Sequence, residues 1–445
     1  GELRVVIGAR SALFAPISGL GLIVVDEEHE NTYKQDVSPR YHARDMALVR
    51  GHAAGCPVVL GTATPSLESW ANAQAGKYRL LRLTERVNQR PMPSVEIVDL
   101  RDTAIVEGAR LLSAPLVDAI AETLERKEQV ILFLNRRGYA PFVSCQACGE
   151  VLSCEACSVS FTWHQARARL VCHYCDRVEP AAKRCPACFS EDLKEVGAGT
   201  EAIEAQMANI FKGSTIKRMD RDTTRGQALN RLLDEFRSGA IDVLIGTQMV
   251  AKGHDFPNVT LVGVLLAEQG LGIPDFRATE RTFQLITQIA GRAGRAGKLG
   301  RVLVQTSMPE HYALCFAKEH DSDGFLETEI ERREERGFPP FSHLVLIRVD
   351  GPRERETVEV ASSVADWCRE SCTRIATEES GLTLVGPAPA PIERIRERYR
   401  MQILLTASRR GDGQRVIREL FSRLDVAKFP SRVHVAVDVD PLNFL

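Results

Sequence analysis

Eight of the twelve cysteines lie between Cys145 and Cys188 as four CxxC pairs: Cys145/Cys148, Cys154/Cys157, Cys172/Cys175 and Cys185/Cys188. Two thiolates three positions apart can bind one ion, and two such pairs complete a tetrahedral four-cysteine zinc site. The run Cys154-x2-Cys157-x14-Cys172-x2-Cys175 sits close to the spacing of such a site. A disulfide framework belongs instead to small secreted chains, and no basic leader pattern opens this one. Eight ligands make two Zn²⁺ sites, and three pairings are possible. Nested pairing joins Cys154/Cys157 with Cys172/Cys175 and Cys145/Cys148 with Cys185/Cys188, and it returns the insert's two ends to one place. Tandem pairing is the alternative. Either way a closed site of four cysteines is structural, because no coordination position is left for substrate. Cys56, Cys315, Cys368 and Cys372 are expected to be buried small hydrophobes.

A second cluster is acidic. Asp26-Glu27-Glu28-His29 follows the apolar run Leu22–Val25. Carboxylates at the C-terminal end of a strand in an α/β sheet face the ligand crevice. Asp26 there can hold Mg²⁺ through its water shell, and Glu27 can orient or deprotonate an attacking water. A solvated acidic loop would read the same way in isolation. Further along, Gly61-Thr62-Ala63-Thr64-Pro65 closes the run Val58–Leu60, and Gly246-Thr247-Gln248 closes Asp242–Ile245, with Lys252-Gly253-His254-Asp255 just beyond. Gln288-x2-Gly291-Arg292-x2-Arg295 ends a helical stretch. Two arginines one turn apart suit phosphoryl oxygens that gain charge during transfer, although a cationic helix C-terminus has the same appearance.

The elements that must position these groups are legible as apolar runs. Leu3–Ile7, Leu20–Val25 and Val58–Leu60 read as buried strands of a parallel sheet covered by helices. A second set starts near Ser113, which can cap a helix bearing Leu116, Ile120 and Leu124, followed by strand Val130–Leu134. After the cysteine block the rhythm resumes: helix Glu201–Phe211, strand Thr215–Met219, helix Gln227–Arg237, strands Asp242–Gly246 and Val259–Leu265, helix Arg281–Ala290 and strand Arg301–Gln305. The fold class is α/β: two lobes of parallel sheet with flanking helices, the second carrying the zinc insert. Beyond residue 308 the order becomes β-α-β-β-α-β, a split βαβ sandwich of α+β type. The expected divisions are 1–100, 101–142, 143–192 for the insert, 193–307 and 308–445.

At 445 residues the chain has room for about three domains at ~150 residues each. The formal charge is −2, with 57 basic and 59 acidic residues, so nucleic acid must be met by local patches and not by a global field. The charge-free stretch Ser11–Val25 has 15 residues, broken by Pro16, too short for a membrane span of ~20. One local patch is Arg394, Arg396, Arg398 and Arg400, alternating with Ile395, Glu397 and Tyr399. Period two would place all four guanidiniums on one face of a strand, suited to phosphates at a DNA branch.

Taken in order, these motifs resemble the superfamily-two DNA helicases with two RecA-like lobes, and most closely the primosomal replication-restart helicases, the PriA family. The matching stretches are GARSALFAP (8–16), DEEH (26–29), YKQ…RYHARD (33–45), GTATPS (61–66), LNRRGYAP (134–141), the four CxxC pairs, DRDTT (220–224), IGTQMVAKGHDFPNVTLV (245–262), DFRATER (275–281), QIAGRAGRAGK (288–298) and DVDP (438–441). The resemblance implies an ATP-dependent 3′–5′ DNA helicase that recognises stalled or branched forks and starts primosome assembly. Asp26, Glu27, Glu28 and His29 would bind Mg-ATP and activate water. Thr62 and Thr64 would couple hydrolysis to lobe movement. Gly246, Thr247, Gln248, Lys252, Gly253 and Asp255 would reach nucleotide and DNA, and Gln288, Arg292 and Arg295 would form an arginine-finger motif. Tyr33, Lys34, Tyr41 and His42 fall on an aromatic loop that senses single-stranded DNA. The resemblance also favours nested zinc pairing. Phe161, Trp163, His164 and Tyr174 could stack on bases, or could cover a ribbon with little core of its own.

The implied partners are single-stranded and branched DNA, single-strand-binding protein and helicase-loader proteins, met by a monomer in the cytoplasm at the nucleoid, with no membrane. One departure is large: the family's phosphate loop should lie upstream of Leu3, and no GxxxxGK[ST] occurs in the 445 residues. Its backbone N–H groups and lysine carry the β/γ-phosphates. The chain is therefore expected to be an N-terminally cut piece that hydrolyses ATP poorly, the alternative being a non-hydrolysing DNA-binding primosome scaffold.

Overall fold

The computed structural model describes residues 4–83, 92–103, 111–134, 143–145, 147–157, 159–164, 169–172, 174–180, 182–195, 200–220, 228–251, 256–294, 298–377 and 379–444. They form two compact units, one made of residues up to Leu80 together with Ile330–Phe444, the other of Leu81–Glu329.

In the first unit, β1 (Ile23–Asp26) carries the acidic box. A short hairpin, β2 (Lys34–Gln35) and β3 (Tyr41–His42), leads into α1 (Ala43–Ala54), β4 (Val58–Gly61) and α2 (Leu67–Gln74). β1 and β4 pair in parallel, with Asp26 opposite Gly61. The expected strand at Leu3–Ile7 is not formed: residues 5–7 are irregular and exposed, and no described strand lies beside them to take up their hydrogen bonds. For the same reason the run Leu22–Val25 is buried only at Val25, while Val24 and Val59 face outward.

The second unit begins with β5 (Ser94–Asp99). A boundary at residue 100 would assign this strand to the first lobe, yet it pairs in parallel with residues 301–306, and the boundary must precede it. Then come α3 (Ala114–Glu125), β6 (Gln129–Leu134), and the insert with β7 (Val143–Cys145), β8 (Thr162–His164), β9 (Arg169–Val171), β10 (Val178–Pro180) and β11 (Leu193–Glu195). The lobe resumes through α4 (Thr200–Ile210), β12 (Ile216–Met219), α5 (Ala228–Arg237), β13 (Val243–Gly246), α6 (Gln248–Ala251), β14 (Val259–Leu265), α7 (Glu268–Leu271), α8 (Ala278–Ala290) and β15 (Arg301–Thr306). The six-stranded parallel sheet runs β12-β13-β6-β14-β15-β5. Every residue of β6 and β14 is buried, as expected for strands covered on both faces. Leu116 and Ile120 of α3 and Ile203 and Met207 of α4 pack on Val130, Leu132, Val243 and Ile245. The helix α9 (Tyr312–Lys318) packs on α8 and β5, so this unit runs past residue 308 and into α10 (Ser322–Glu335).

The C-terminal part of the first unit has β16 (His343–Gly351), α11 (Glu354–Ile375), β17 (Thr383–Ile395), β18 (Arg398–Ala407), α12 (Arg410–Leu424) and β19 (His434–Val439). The antiparallel order β17-β18-β16-β19, with both helices packed on the sheet, is the split βαβ arrangement read from the sequence. Its core joins Val345, Ile347 and Val349 to Val360, Val364, Ile403, Leu405, Val416 and Leu420.

Candidate functional site

The four residues of the acidic box have separate surroundings. Asp26 ends β1, is exposed, and accepts a hydrogen bond from the Glu27 N–H (3.0 Å). Glu27 has φ 48°, a left-handed corner that ends the strand, and its carboxylate is 43% exposed. One Glu27 oxygen, Oε2, is buried without a hydrogen-bond donor; His29 Nδ1 stands 3.6 Å from it. His29 Nδ1 is 2.7 Å from Thr62 Oγ1, which also accepts the Thr64 N–H (3.0 Å). The acidic box and the Thr62-Ala63-Thr64 loop are thus joined by one imidazole–hydroxyl contact, made possible by the parallel register of β1 and β4. An exposed carboxylate at the strand end beside an undonated acceptor fits a hydrated Mg²⁺ and an attacking water.

Glu28 does not fit that role. Its side chain is fully buried and accepts from Ser66 N (2.7 Å), Ser66 Oγ (3.1 Å), Ser69 Oγ (2.9 Å) and Arg44 Nη1 (3.0 Å). All its acceptor capacity is spent inside the fold, so the expectation that Glu28 binds nucleotide is corrected: it ties β1 to the start of α2 and to α1. Ser66, the N-cap of α2, also accepts the Ser69 N–H. Burial lowers the Arg44 guanidinium's affinity for its proton, but Asp45 and Glu28 outweigh it and hold the group charged.

The aromatic loop is held from several sides. The Tyr33 hydroxyl donates to the Asp26 carbonyl (2.6 Å), and burial followed by the charges of Asp26, Glu30 and Glu27 raises its pKa. Tyr41 meets Phe14 edge-on with ring centroids 5.1 Å apart, and Arg10 Nη1 donates to the carbonyls of Thr32 (3.0 Å) and Lys34 (2.9 Å). Lys34 is not offered to DNA: its ammonium is buried, paired with Asp438 (2.9 Å) and bonded to the carbonyls of Val439 (2.7 Å) and Asp440 (3.1 Å). His42 is half-buried. Burial, with Arg44 and Lys34 nearby, lowers its pKa to about 4, and its Nδ1 is buried without a partner.

In the second unit, Gly246 ends β13 where a Cβ would stand 2.1 Å from Val250 Cγ2, so a side chain here would collide with the start of α6. Thr247 follows, half-buried, and its carbonyl accepts the Val250 N–H (2.9 Å) as α6 begins. Gln288 lies half-buried on α8 and Arg292 in the turn beyond it, which closes through Gly294 N–H to the Val259 carbonyl (3.1 Å). Lys252, Gly253, Asp255 and Arg295 lie outside the described residues, as does the side chain of Gln248.

The cysteines cluster as two nested sets: Cys145, Cys148, Cys185 and Cys188, and Cys154, Cys157, Cys172 and Cys175, with all sulfurs of a set within 4.8 Å of one another. Cys145–Cys188 and Cys148–Cys185 are 3.5 Å apart and Cys154–Cys175 3.7 Å. Four sulfurs set tetrahedrally around zinc, with Zn–S of ~2.3 Å, lie about 3.8 Å from one another, against about 2.05 Å for a disulfide, so the donors fit two zinc ions. Each pair sits in the same knuckle: the N–H of Cys145, Cys154, Cys172 and Cys185 donates to the carbonyl of Glu150, Val159, Arg177 and Ser190, five residues on. Gly149, Asp176 and Phe189, each four residues after a leading cysteine, carry the positive φ that closes it. Cys172 is held as a thiolate (pKa lowered to about 6) chiefly by the Cys157 thiol. The insert's ends return together through β7 and β11, with Cys145 opposite Leu193. Phe161 and Tyr174 are buried, and Tyr174 packs edge-on to Phe276 (6.0 Å) while its hydroxyl accepts the Phe276 N–H (3.3 Å). They cover the ribbon and seat it on its lobe; neither ring is available to a base. Trp163 is half-buried.

Three family models match the chain: the primosomal protein N C-terminal domain over residues 334–442, the Cys-rich region domain of PriA DNA helicase over 154–180, and the helicase conserved C-terminal domain over 182–297. The replication restart protein PriA of Rickettsia felis is 38% identical over 445 residues, covering 100% of this chain and 67% of the relative. The chain belongs to the PriA family of replication-restart helicases. The PriA proteins of Bacillus subtilis (42% identical, 99% of this chain, 54% of the relative) and Treponema pallidum (43%, 99% and 65%) agree. The chain spans between about half and two thirds of the length of these relatives.

Within the PriA family reading, the arginine stripe is where the sequence misled. Arg396 (φ 49°) and Glu397 (φ 62°) form a two-residue hairpin turn, with Ile395 opposite Arg398 and Arg394 opposite Tyr399. The four arginines therefore straddle a hairpin instead of sharing one strand face. Arg398 is bound to the Asp350 carboxylate and to the carbonyls of Asp350 (2.9 Å) and Arg432 (2.8 Å). Arg400 is half-buried, and burial lowers its pKa. Arg394, stacked 5.1 Å over the Tyr399 ring, and Arg396 at the tip are exposed and remain candidates for phosphate contact. No helix among the described residues is long and apolar enough to cross a membrane.

Proposed function

We propose that the intact protein is an ATP-dependent 3′–5′ DNA helicase that acts at stalled or branched forks and begins primosome assembly, working as a monomer at the nucleoid. Its partners are single-stranded and branched DNA, single-strand-binding protein and loader proteins. The observation that carries this reading is the acidic box: an exposed Asp26 and an undonated Glu27 oxygen at a strand end, coupled through His29 to Thr62. Asp26 would hold hydrated Mg²⁺, which when bound offsets the negative charge of the β- and γ-phosphates. Glu27 accepts a proton from the attacking water at its carboxylate, which is 43% exposed. His29 reports the state of that carboxylate to the Thr62–Thr64 loop, which leads into α2. Arg292 and Arg295 answer charge on a phosphoryl group, and Thr247, Gln248 and Lys252 meet nucleotide and strand. The two four-cysteine clusters hold structural zinc.

A second reading, a DNA-binding scaffold that does not hydrolyse ATP, is favoured by one observation: no GxxxxGK[ST] occurs in these 445 residues. The test is a chimera in which residues 1–445 follow the portion of the Bacillus subtilis relative that lies before the match. The helicase reading expects ATP hydrolysis stimulated by single-stranded DNA, lowered at least ~100-fold by Glu27→Gln, the size of a lost general base. A chimera that binds DNA yet shows no stimulated turnover would favour the scaffold.

A further inference from the structure

Adjacent residues of the aromatic loop are fastened to two different parts of the first unit. The Tyr33 hydroxyl reaches back to the Asp26 carbonyl, at the end of the strand that carries the acidic box (2.6 Å). Lys34, next in sequence, reaches into the C-terminal part, pairing with Asp438 (2.9 Å) and donating to the carbonyls of Val439 (2.7 Å) and Asp440 (3.1 Å). Both charged side chains are only 5% exposed. The ammonium donates to two carbonyls and pairs electrostatically with the Asp438 carboxylate, whose buried Oδ1 takes no hydrogen bond. Around it, Asp440 also faces His343 (3.9 Å) and Arg410 (3.7 Å), so the far end is itself fixed within the C-terminal part. Arg10 on the carbonyls of Thr32 and Lys34 and Phe14 against Tyr41 restrain the loop further, and its two tyrosines are half-buried.

We propose that Lys34 and Asp438 form a latch by which the C-terminal part holds the aromatic loop in a DNA-free position, making both positioning residues for single-strand binding. The proposal rests on the reading that this loop meets single-stranded DNA. A strand that stacks on Tyr33 or Tyr41 draws the loop away from Phe14 and Asp26, and Lys34, one residue from Tyr33, must leave Asp438 as it moves. By linkage, a contact that restrains the loop lowers its apparent affinity for DNA by the fraction of time the loop is released. Conversely, whatever loosens the end of β19 raises that affinity.

The direction of this effect separates the latch from a direct DNA contact. Deleting a lysine that touches phosphate weakens binding and lowers the salt slope. Deleting a lysine that restrains the binding loop strengthens it. The experiment measures binding of a fluorescein-labelled oligo-dT to the full 445-residue chain and to the double variant Lys34→Met/Asp438→Leu, which removes both members of the pair together and leaves Asp36 facing Arg348. The latch expects roughly three- to tenfold tighter binding by the variant, a released-loop gain of the size set by a modest shift in population. It also expects that gain to vanish when Tyr33→Ala and Tyr41→Ala are added. Unchanged or weaker binding by the double variant overturns the latch. If Tyr33→Ala/Tyr41→Ala alone leaves oligo-dT binding at the wild-type value, the loop reading itself fails, and the latch with it. A measurement on the unaltered chain guards against misfolding of the variants: hydrogen exchange of residues 434–440 should speed up when oligo-dT binds. Unchanged exchange there, with the oligonucleotide bound, also overturns the proposal.

Discussion

Replacing Glu28 separates the structural carboxylate of the acidic box from the chemical ones. Its side chain takes four hydrogen bonds, from Ser66 N and Oγ, Ser69 Oγ and Arg44 Nη1, with no exposure to solvent. Glu28→Ala takes from Arg44 one of its two carboxylate partners, leaving Asp45 (3.0 Å), and strands three neutral donors; removing one partner of a buried pair costs about 3–5 kcal/mol. Hydrogen bonds to charged groups, at ~1.5–3 kcal/mol each, would give a larger sum if they were additive, so the buried-pair figure is the safer one. Asp26→Asn touches only the Glu27 N–H on an exposed strand end and should change stability by no more than about 0.5 kcal/mol. Urea unfolding followed by Trp70, one residue from Ser69 on α2, gives the readout. With a slope of about 2 kcal/mol/M, Glu28→Ala should lower the midpoint by ~1.5–2.5 M and Asp26→Asn by ~0.25 M or less. Equal shifts for the two variants would refute the division of labour within the box. So would a Glu28→Ala chain that unfolds at the wild-type midpoint.

The pH dependence of stability should carry the signature of His42, whose folded pKa of about 4 lies below the ordinary 6.5. The unfolded chain binds the extra proton between these values, so the contribution of neutral His42 is complete above pH 6.5 and is lost as pH falls toward 4. At ~1.4 kcal/mol per unit this is up to about 3 kcal/mol, and His42→Gln should flatten that part of the profile in acid-unfolding measurements. Elemental analysis should find two zinc ions per chain, one after Cys172→Ser, and two still after Cys372→Ser, which lies outside both clusters. At the hairpin, Arg394→Ala/Arg396→Ala should lower the salt slope of DNA binding by up to ~1.8, at ~0.9 per phosphate contact. Arg398→Ala should leave the slope unchanged and lower the melting temperature, since its guanidinium is spent on Asp350 and Arg432.

The apolar runs Val130–Leu134 and Val259–Leu265 were legible because a strand covered on both faces has no room for polar residues. The cysteine pairs were legible because tetrahedral thiolate chemistry fixes their spacing, and the closing of the insert's ends favoured the nesting. Glu28 could not be told from Asp26 and Glu27 by sequence, because its burial is decided by Ser66, Ser69 and Arg44, which reach it from two helices. Lys34 carried no sign of its partner, since Asp438 lies at the other end of the chain. The arginine stripe misled because the turn at Arg396-Glu397 uses positive φ without the Asn-Gly or Gly signal that marks most two-residue hairpins. Ser94–Asp99 joined the wrong lobe because strand pairing, not chain order, decides where an edge strand belongs.

Residues 1–445 carry the acidic box but no GxxxxGK[ST], the motif whose backbone N–H groups and lysine grip the β/γ-phosphates. The most direct measurement is the rate of ATP hydrolysis by the 445-residue chain itself, with and without saturating single-stranded DNA. The expected result is background hydrolysis in both conditions, with DNA still bound. Clear DNA-stimulated turnover that Asp26→Asn abolishes would contradict it.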